Sequence, residues 1–297
     1  MSSGVRTSGG TPALPRSGRA AQQATMAWEA LRCCELCAHR CRVNRWEGER
    51  GPCHAGVGAR VFHMQTEMAD EAVLRPVFAV TFSGCDLRCD FCITGRASWD
   101  PRVGTEMTAP DGSAKELESI AGAARRALAS GARSVMILGG EPTVHLPSAL
   151  ELAARLPDDA TLVWKTNAHG TAEARELLQG VFDVWVADFK FGNDACAERL
   201  ARVRRYTEIV RENLLWAHRQ ARLIVRHLLM PGHLECCWRP VAAWLSAELP
   251  AVEVSLREGY WPAWFAGRHA ALNQPLPRGE YLRARDLGRA LGLNLIP

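Results

Sequence analysis

Long apolar runs are missing from this 297-residue sequence. No stretch approaches the roughly 20 apolar residues that a membrane-spanning helix needs, and the first residues lack the continuous apolar core of a secretory signal. An excess of one charge is also missing, since 36 basic residues face 32 acidic ones and the formal net charge is +4. The basic residues are nearly all arginine and are scattered over amphipathic segments such as ERLARVRR, so nucleic-acid binding is not expected. We therefore expect a cytoplasmic protein with no membrane contact.

Cysteine, by contrast, is abundant, with eleven cysteines in a chain that is 47% apolar. This length and apolar content suffice for one large buried core or two modest ones. Disulfides are rare where glutathione keeps thiols reduced. The cysteines of a cytoplasmic protein therefore point to metal binding or catalysis instead of a disulfide framework.

The chain divides into three parts by composition. Residues 1–25 are rich in Gly, Ser and Pro, contain almost no large apolar side chain, and are predicted to be disordered. Residues 26–70 are dense in cysteine but too polar for a core of their own, which predicts a small segment held together by a bound metal. Residues 71–297 alternate short apolar runs with amphipathic ones and are predicted to form the main domain.

Strand candidates in the main domain are runs rich in Val, Ile and Leu with little polar alternation, as in parallel strands that are covered on both faces. They span residues 77–83, 134–140, 161–167, 184–190, 223–230 and 252–256. Amphipathic helix candidates lie between and after them, and six such units predict an α/β fold with a partial (β/α)6, TIM-like barrel. Active-site loops of that fold lie at the carboxyl ends of the strands, which is where the chemical motifs of this domain occur.

Three cysteines follow the first strand candidate, in the stretch GCDLRCDFC. Cys85, Cys89 and Cys92 have the spacing C-x3-C-x2-C, and Gly84 with the interleaved charged residues is typical of a polar loop. A [4Fe–4S] cluster normally takes four thiolates, so three leave one iron open to a non-protein ligand. Two alternatives remain: the cysteines form the buried stripe of a helix, or they bind zinc with a fourth ligand from elsewhere in the chain.

This loop resembles the CxxxCxxC motif of the radical S-adenosylmethionine (radical SAM) superfamily, in which an aromatic residue, here Phe91, usually precedes the last cysteine. The resemblance implies a partial (β/α)6 radical SAM barrel, and a [4Fe–4S] cluster whose open iron chelates S-adenosylmethionine (SAM). It also implies oxidoreductase chemistry with a flavodoxin- or ferredoxin-type electron donor. An electron from the cluster would cleave SAM to methionine and a 5′-deoxyadenosyl radical, which abstracts hydrogen from a substrate.

The motif GGEP follows the second strand candidate. Gly139 and Gly140 let backbone groups approach a ligand closely, and the Glu141 carboxylate is able to accept a hydrogen bond from an ammonium group. The resemblance implies that this loop binds the methionyl amine of SAM. Taken alone, the same four residues are also typical of an ordinary turn at the end of a strand.

Charged side chains end two further strand candidates. Asp188 and Lys190 alternate in ADFK, so both face the barrel mouth, and resemblance to the pyruvate formate-lyase activating enzyme branch implies that they contact SAM or the substrate. The alternative for this pair is a solvated ion pair at a strand end. Arg226 is a candidate partner for the SAM carboxylate, because a guanidinium matches a carboxylate in two parallel hydrogen bonds. His227 faces the other way and is interpreted as a core or surface histidine.

Four more cysteines lie in a short polar span nearer the amino terminus: Cys34, Cys37, Cys41 and Cys53. This number closes a tetrahedral site or an iron–sulfur cluster completely, and Cys33 is an alternative to Cys34. The run CELCAHRCRVNRWEGERGPC resembles a four-cysteine pattern found ahead of the barrel in a subgroup related to the activating enzymes. Zinc and an auxiliary iron–sulfur cluster both fit the spacing, and four cysteines that merely pack are the remaining alternative. The other cysteines show no spacing pattern and are interpreted as packing or surface residues: Cys196, Cys236 and Cys237.

The leading hypothesis is a radical SAM enzyme, with activation of a glycyl radical enzyme as one option. Radical modification of a small molecule or a peptide is the alternative within that class. A hypothesis of a different class is a non-catalytic metal-binding module, in which the four-cysteine segment docks RNA or protein. No motif of the sequence indicates the substrate.

Overall fold

The computed structural model describes residues 14–68 and 71–297, and nine strands of that part of the chain form a single mixed sheet. In chain order they are β1 (Ala59–Glu67), β2 (Val77–Phe82), β3 (Thr105–Thr108), β4 (Ser134–Gly139), β5 (Thr161–Thr166), β6 (Val184–Asp188), β7 (Arg222–Leu228), β8 (Glu253–Arg257) and β9 (Asn294–Leu295). Their order across the sheet is β3-β1-β2-β4-β5-β6-β7-β8-β9. β1 pairs antiparallel with β2 and β3, whereas every pair from β2 to β9 is parallel.

Six parallel strands, β2 and β4 to β8, lie side by side in chain order, which is the order of a partial (β/α)6 barrel. They coincide with the six predicted strands. All six residues of β2, VFAVTF, are buried, as expected for a strand that is covered on both faces. The predicted α/β fold class is confirmed.

One helix precedes the sheet, and the others lie in the connections between its strands. In the described residues they are α1 (Arg16–Ala30), α2 (Arg96–Trp99), α3 (Leu117–Ala129), α4 (Leu146–Ala154), α5 (Ala172–Glu176), α6 (Asp194–Ala201), α7 (Tyr206–Gln220), α8 (Arg239–Glu248) and α9 (Arg278–Ala290). A break separates α6 from α7, because Arg202 and Arg205 adopt left-handed backbone with φ of 60° and 52°. Every helix within the described ranges falls short of the length and apolarity that crossing a bilayer requires.

Helix α1 corrects the prediction of disorder for residues 1–25. It begins at Arg16 and packs along α4. Its buried apolar side chains are small, so they contribute little to a count of large apolar residues and yet let two helices approach closely. These side chains are Ala20, Ala24 and Ala27. The prediction was wrong for residues 16–25, and residues 1–13 lie outside the described part of the chain.

The sheet also extends ahead of the predicted main domain. β1 pairs with β2 from Glu67 to Val61, so a strand from the predicted cysteine-rich segment belongs to the same sheet as the barrel strands. Sequence analysis missed β1 because its second half, with the exposed run from His63 to Thr66, shows no apolar alternation. The predicted boundary at residue 70 therefore does not separate two sheets.

The parallel strands bury side chains on both faces. On β4, Val135 and Ile137 belong to the core that the helices cover, whereas Met136 between them points to the opposite face. A second apolar layer forms on that face from successive strands: Val77, Met136, Val163, Val184, Val186 and Ile224. Alternation along the same strands brings Asp188 and Arg226 onto this face at the carboxyl ends. The apolar layer thus lies beneath a charged layer at the barrel mouth.

Candidate active site

The cysteine loop follows β2 and is irregular, since no helix begins in the described chain between Phe82 and Arg96. Cys85 and Cys89 are buried, and Cys92 is half-buried. The alternative of a helical stripe of packing cysteines is therefore wrong. The interleaved charged residues take other partners instead of forming a helix surface.

Polar hydrogens surround the sulfur atoms of this loop. Leu87 N donates to Cys85 Sγ at 3.3 Å, and Asn167 Nδ2 lies 3.7 Å from the same sulfur. Cys92 Sγ lies 3.1 Å from the hydroxyl oxygens of both Thr94 and Ser98. Donors of this kind stabilise thiolates that bind a metal.

The same thiols are poorly suited to ionise without a metal. Burial, reinforced by the charge of Asp86, raises the pKa of Cys85 well above its usual value. Burial also raises the pKa of Cys89 to about 12, although the Lys190 ammonium opposes the shift. Cations that bind these sulfurs would therefore displace protons. Three soft thiols on one loop, with hydrogen-bond donors around them, fit a [4Fe–4S] cluster that has one open iron.

The two glycines of GGEP pack against the cysteine loop. Gly140 N donates to Phe82 O at 2.9 Å, and Glu141 N donates to Gly84 O at 2.8 Å. A Cβ on Gly140 would collide with Gly84 O, and one on Gly139 would collide with Phe82 O. Glycine is thus required because the GGEP loop packs closely against the backbone of the segment from Phe82 to Gly84. The motif holds the GGEP loop and the cysteine loop together. Contact of this loop with SAM stays a prediction.

Glu141 is buried. It follows β4, its backbone N–H donates to Gly84 O after β2, and its carboxylate reaches the end of β5. Its Oε1 accepts hydrogen bonds from Thr143 N at 3.0 Å and from the hydroxyls of Thr143 and Thr166 at 2.5 and 2.9 Å. Its Oε2 accepts from Asn167 N at 2.7 Å. Burial, together with the nearby charge of Asp86, raises the pKa of Glu141 to about 7. The carboxylate therefore holds the GGEP loop against the end of β5.

A polar network that sequence analysis missed extends from Asp86, the residue after Cys85. Asp86 is 1% exposed, and its two carboxylate oxygens lie 2.7 Å from Asn167 Nδ2 and from His169 Nδ1. His39 Nε2 lies 3.0 Å from Asp86 O. Burial opposes ionisation, but hydrogen bonds from His169 and Asn167 hold the pKa of Asp86 below its ordinary value.

Three separate segments contribute to this network, which explains why no spacing pattern indicated it. Asp86 lies in the cysteine loop, His169 in the TNAHG stretch after β5, and His39 between two of the amino-terminal cysteines. The one signal in the sequence was that all three lie within or beside motifs already singled out. Folding brings them to one place beside the cluster cysteines.

The charged residues at the ends of β6 and β7 meet as alternation predicts. Lys190 Nζ forms a salt bridge with Asp188 Oδ2, and Arg226 Nε lies 3.9 Å from Asp188 Oδ1. Arg226 Nε also lies 3.8 Å from the buried Glu71. Burial alone would raise the pKa of Asp188, but Lys190 and Arg226 hold it below its ordinary value. Because both side chains of the Asp188–Lys190 pair are only 22% exposed, this is not a solvated surface pair.

His227 lies on the opposite face and is buried, as its interpretation as a core histidine requires. Its Nδ1 lies 2.6 Å from Phe189 O, and its ring centroid is 5.1 Å from that of Trp238. Burial lowers the pKa of His227 to about 4, so the ring is neutral at pH 7. It joins β7 to the segment that follows β6.

The amino-terminal cysteines surround a buried arginine. Cys34, Cys37 and Cys53 are buried and Cys41 is half-buried. Arg45, 2% exposed, places Nη2 3.8 Å from Cys53 Sγ and donates from Nη1 to Val144 O at 2.5 Å. Burial alone would lower the pKa of Arg45, but the sulfurs of Cys53, Cys34 and Cys37 raise it. A cation among thiols offsets the negative charge that they gain on binding a metal.

Cys33 does not belong to this group, because its side chain is exposed. In the described residues, two sets of three side chains have possible metal-ligand atoms within 4.8 Å of one another. One set is His39, Asp86 and His169, and the other is Cys196, Cys236 and Cys237. The four amino-terminal cysteines are in neither set. Zn–S bonds of about 2.3 Å would place the sulfurs of a tetrahedral zinc site about 3.8 Å apart. In the described chain, no three of these four cysteines form a group within 4.8 Å.

The amino-terminal cysteine segment lies against the barrel mouth. Ala38 N donates to His169 O at 2.9 Å, and the backbone of Cys37 pairs with that of Gly170 in an isolated antiparallel β-bridge. Arg40 makes two hydrogen bonds of 2.9 Å to the carboxylate of Glu173. The segment therefore contacts the loop after β5, beside the residues that surround Cys85.

A partial barrel with a three-cysteine loop at its mouth defines the class of an iron–sulfur enzyme with one open coordination position. Residues 79–245 match the family model of the radical SAM superfamily, and the chain belongs to this superfamily. It is an enzyme of the radical SAM class, which sets aside the non-catalytic module. Membership implies a [4Fe–4S] cluster, which Cys85, Cys89 and Cys92 would hold, and SAM; when bound, the cluster would supply the electron for reductive cleavage of SAM.

Proteins similar to this chain include one relative in sequence and two solved structures. The chain is 35% identical over 271 residues to the uncharacterized protein MJ0674 of Methanocaldococcus jannaschii, covering 89% of this chain and 76% of that protein. SuiB of Streptococcus suis bound to S-adenosylmethionine is 19% identical with a TM-score of 0.49, covering 71% of this chain and 47% of SuiB. QueE from Escherichia coli is 14% identical with a TM-score of 0.43, covering 80% of this chain and 92% of QueE. The chain thus spans about half the length of SuiB.

Proposed function

We propose that this enzyme abstracts hydrogen from a polypeptide, with activation of a glycyl radical enzyme as the leading case. The observation that carries the proposal is an exposed apolar rim, made of Ile93 on the cysteine loop and of Trp261 and Trp264 on the loop after β8, where the Trp264 ring packs beside Gly95. Ile93 follows Cys92 directly and is 74% exposed, and the two tryptophans after β8 are 69% and 41% exposed. Large apolar side chains exposed in one area are typical of protein-binding surfaces, whereas small-molecule sites are enclosed.

Hydrogen bonds hold the loop that carries these tryptophans against the cysteine loop. Phe265 N donates to Asp90 O at 2.8 Å, and His269 Nε2 lies 2.7 Å from Asp90 Oδ2. The ring of Trp264 lies 5.9 Å from that of Trp99 on α2. A polypeptide bound on the rim would therefore lie next to the cluster cysteines.

In this proposal the mouth residues bind SAM. Asp188 and Lys190 would contact SAM or the substrate, Arg226 would bind the SAM carboxylate, and the GGEP loop would bind its amine. The electron would come from a flavodoxin- or ferredoxin-type protein. All eleven cysteines lie in the described ranges and are unpaired, which suits the reducing cytoplasm.

For the amino-terminal cysteines we propose an auxiliary iron–sulfur cluster. A cluster binds each thiolate through a different iron and so separates the sulfurs more widely than one zinc ion does. The absence of Cys34, Cys37, Cys41 and Cys53 from the close-set ligand groups of the described chain supports this choice. Iron and sulfide contents that fit a single cluster in the reconstituted protein would contradict it.

The substrate class is testable by isotope transfer. The anaerobically reconstituted enzyme is incubated with SAM, a reductant and extract from the source organism grown in deuterated medium, separated into protein and small-molecule fractions. We expect 5′-deoxyadenosine to gain deuterium from the protein fraction. Deuterium from the small-molecule fraction alone would favour the alternative of a small-molecule substrate.

Variants separate the chemistry from the docking of the substrate. Cys89→Ala should form no 5′-deoxyadenosine, because the cluster lacks one of its three thiolates. The double variant Trp261→Ala with Trp264→Ala should still cleave SAM but should transfer less deuterium from the protein fraction. Equal transfer by the wild-type protein and this double variant would remove the exposed rim from the proposal.

A further inference from the structure

Three cysteines outside the cluster loop and the amino-terminal segment, which the sequence leaves as packing or surface residues, meet near the barrel mouth. Cys196 lies in the first turn of α6, and Cys236 and Cys237 lie in a wide helical turn, Leu234–Trp238, that precedes α8. The three sulfurs all lie within 4.8 Å of one another. Two chain segments about 40 residues apart thus bring three thiols to one point.

We propose that Cys196, Cys236 and Cys237 form a mononuclear site for a thiophilic divalent cation, with Zn²⁺ as its ion. Cys196 Sγ lies 3.8 Å from Cys236 Sγ, and Cys236 Sγ lies 3.9 Å from Cys237 Sγ. Tetrahedral zinc with bonds of about 2.3 Å places its sulfurs about 3.8 Å apart, so these separations match those of bound thiolates. The site requires little rearrangement to accept the ion.

Burial raises the pKa of Cys236 and of Cys237, so a bound cation would have to displace their protons, and hydrogen-bond donors lie around the sulfurs that would then be charged. Asn193 Nδ2 lies 3.4 Å from Cys196 Sγ, and the same amide donates to Cys236 O at 2.6 Å. Arg199 Nη2 lies 3.8 Å from Cys196 Sγ. Three thiolates and one Zn²⁺ carry a net charge of −1, which the Arg199 guanidinium balances. Outer donors of this kind are typical of protein metal sites.

The burial of the three cysteines determines how an ion would enter the site, and their position in the fold determines what the bound ion would hold together. Cys196 and Cys237 are 6% and 0% exposed, whereas Cys236 is half-buried, so an ion would reach the group from the Cys236 side. Binding forms three Zn–S bonds and releases the thiol protons to solvent. The ion would join α6, which follows β6, to the turn that follows β7, and would fix the two loops beside Asp188 and Arg226.

Protection from alkylation tests the site in the wild-type holoenzyme. The reduced protein is treated with iodoacetamide with and without added Zn²⁺, and the peptide that contains Cys236 and Cys237 is analysed by mass spectrometry. We expect Zn²⁺ to abolish labelling and a chelator to restore it. Equal labelling with and without Zn²⁺ would overturn the proposal. Protection that only a reductant reverses would show a disulfide and would also overturn it.

Metal content in variants gives a second test that does not depend on SAM cleavage. Cys196→Ser should lose one zinc per chain while its iron and sulfide contents stay unchanged. Cys33→Ser, which removes an exposed thiol, is the matched control and should retain the zinc. Asn193→Asp keeps a side-chain oxygen for the first turn of α6 but loses the amide donor, and should weaken Zn²⁺ binding by about 10–100-fold. Equal zinc contents in Cys196→Ser and wild-type protein would refute the site, even if the enzyme cleaves SAM normally.

Discussion

At the scale of one residue, the lack of a side chain at Gly140 allows the GGEP loop to pack closely against the cysteine loop. The backbone of Gly140 lies so close to Gly84 O that no Cβ fits between them. The neighbouring hydrogen bonds, from Gly140 N to Phe82 O and from Glu141 N to Gly84 O, depend on this approach. The cysteine loop is therefore positioned by backbone contacts with the GGEP loop.

We predict that Gly140→Ala destabilises the protein by about 1–3 kcal/mol, because the new Cβ forces the two loops apart. Thermal unfolding of the anaerobic protein and its iron content measure the effect, and both should fall. Gly259→Ala is the matched control, since a Cβ on Gly259 meets no atom within 4 Å. Equal loss of stability in both variants would contradict the packing role of Gly140.

His227 provides a second residue-scale prediction, on pH. Its pKa falls from 6.5 to about 4 on burial, so between these pH values the unfolded state binds more protons than the folded state. Its contribution to stability is complete above pH 6.5 and is lost as the pH falls towards 4, by up to about 3 kcal/mol at 1.36 kcal/mol per pKa unit.

Thermal midpoints at one pH above 6.5 and at another near 4 test this contribution. In His227→Asn the amide is able to donate to Phe189 O without titrating, so the variant should lose less stability on acidification than the wild-type protein. Identical losses in the two proteins would show that another group dominates the acid response.

At the scale of elements, α1 forms an interface with α4 that the amino-acid composition of the first 25 residues did not predict. Ala24 is 3% exposed where α1 packs along α4, whereas Ala21 on the same helix is exposed. Alanine is a good helix former and brings helices close together, but it adds little to apolar bulk. A low count of large side chains therefore predicted disorder where a helix forms.

We predict that Ala24→Glu lowers the free energy of unfolding by about 2 kcal/mol or more, because it buries a charge against α4. Thermal unfolding measures the change. Ala21→Glu places the same side chain on the exposed face and should leave stability nearly unchanged. Comparable effects of the two substitutions would mean that the interface contributes little.

Whole-molecule organisation links the amino-terminal cysteines to the barrel mouth. The segment contacts the loop after β5 through Ala38 and Cys37, and His39 reaches the backbone of Asp86 in the cysteine loop. Loss of the metal proposed for this segment would therefore disturb the residues around Cys85 as well as the segment itself. The two cysteine groups are separate in sequence but adjacent in space.

We predict that Cys34→Ser loses the metal of the amino-terminal segment, lowers the thermal midpoint and slows the formation of 5′-deoxyadenosine. Cys33→Ser should match the wild-type protein, because the Cys33 side chain is exposed and the Cys34 side chain is buried. Metal analysis and the rate of SAM cleavage measure both variants. The reverse result would assign Cys33 as the ligand.

The sequence by itself determined the six parallel barrel strands, the cysteine loop and the charged mouth. Short continuous apolar runs such as VFAVTF, bounded by turn residues, are typical of strands covered on both faces, and side-chain alternation brings Asp188 and Arg226 to one face. Local spacing likewise placed Cys85, Cys89 and Cys92 on one loop. These features depend on neighbours along the chain, so they can be predicted without knowing the fold.

Only the tertiary structure decided which distant residues meet. The contacts of Asp86 with His169 and His39, the collision that requires Gly140, and the convergence of Cys196 with Cys236 join separate segments. No local period or spacing encodes such meetings, because they depend on how the parallel strands and their connections pack. For the same reason the exposure of Cys33 and the burial of Cys34, which favour Cys34 as the ligand, are seen only in the folded chain.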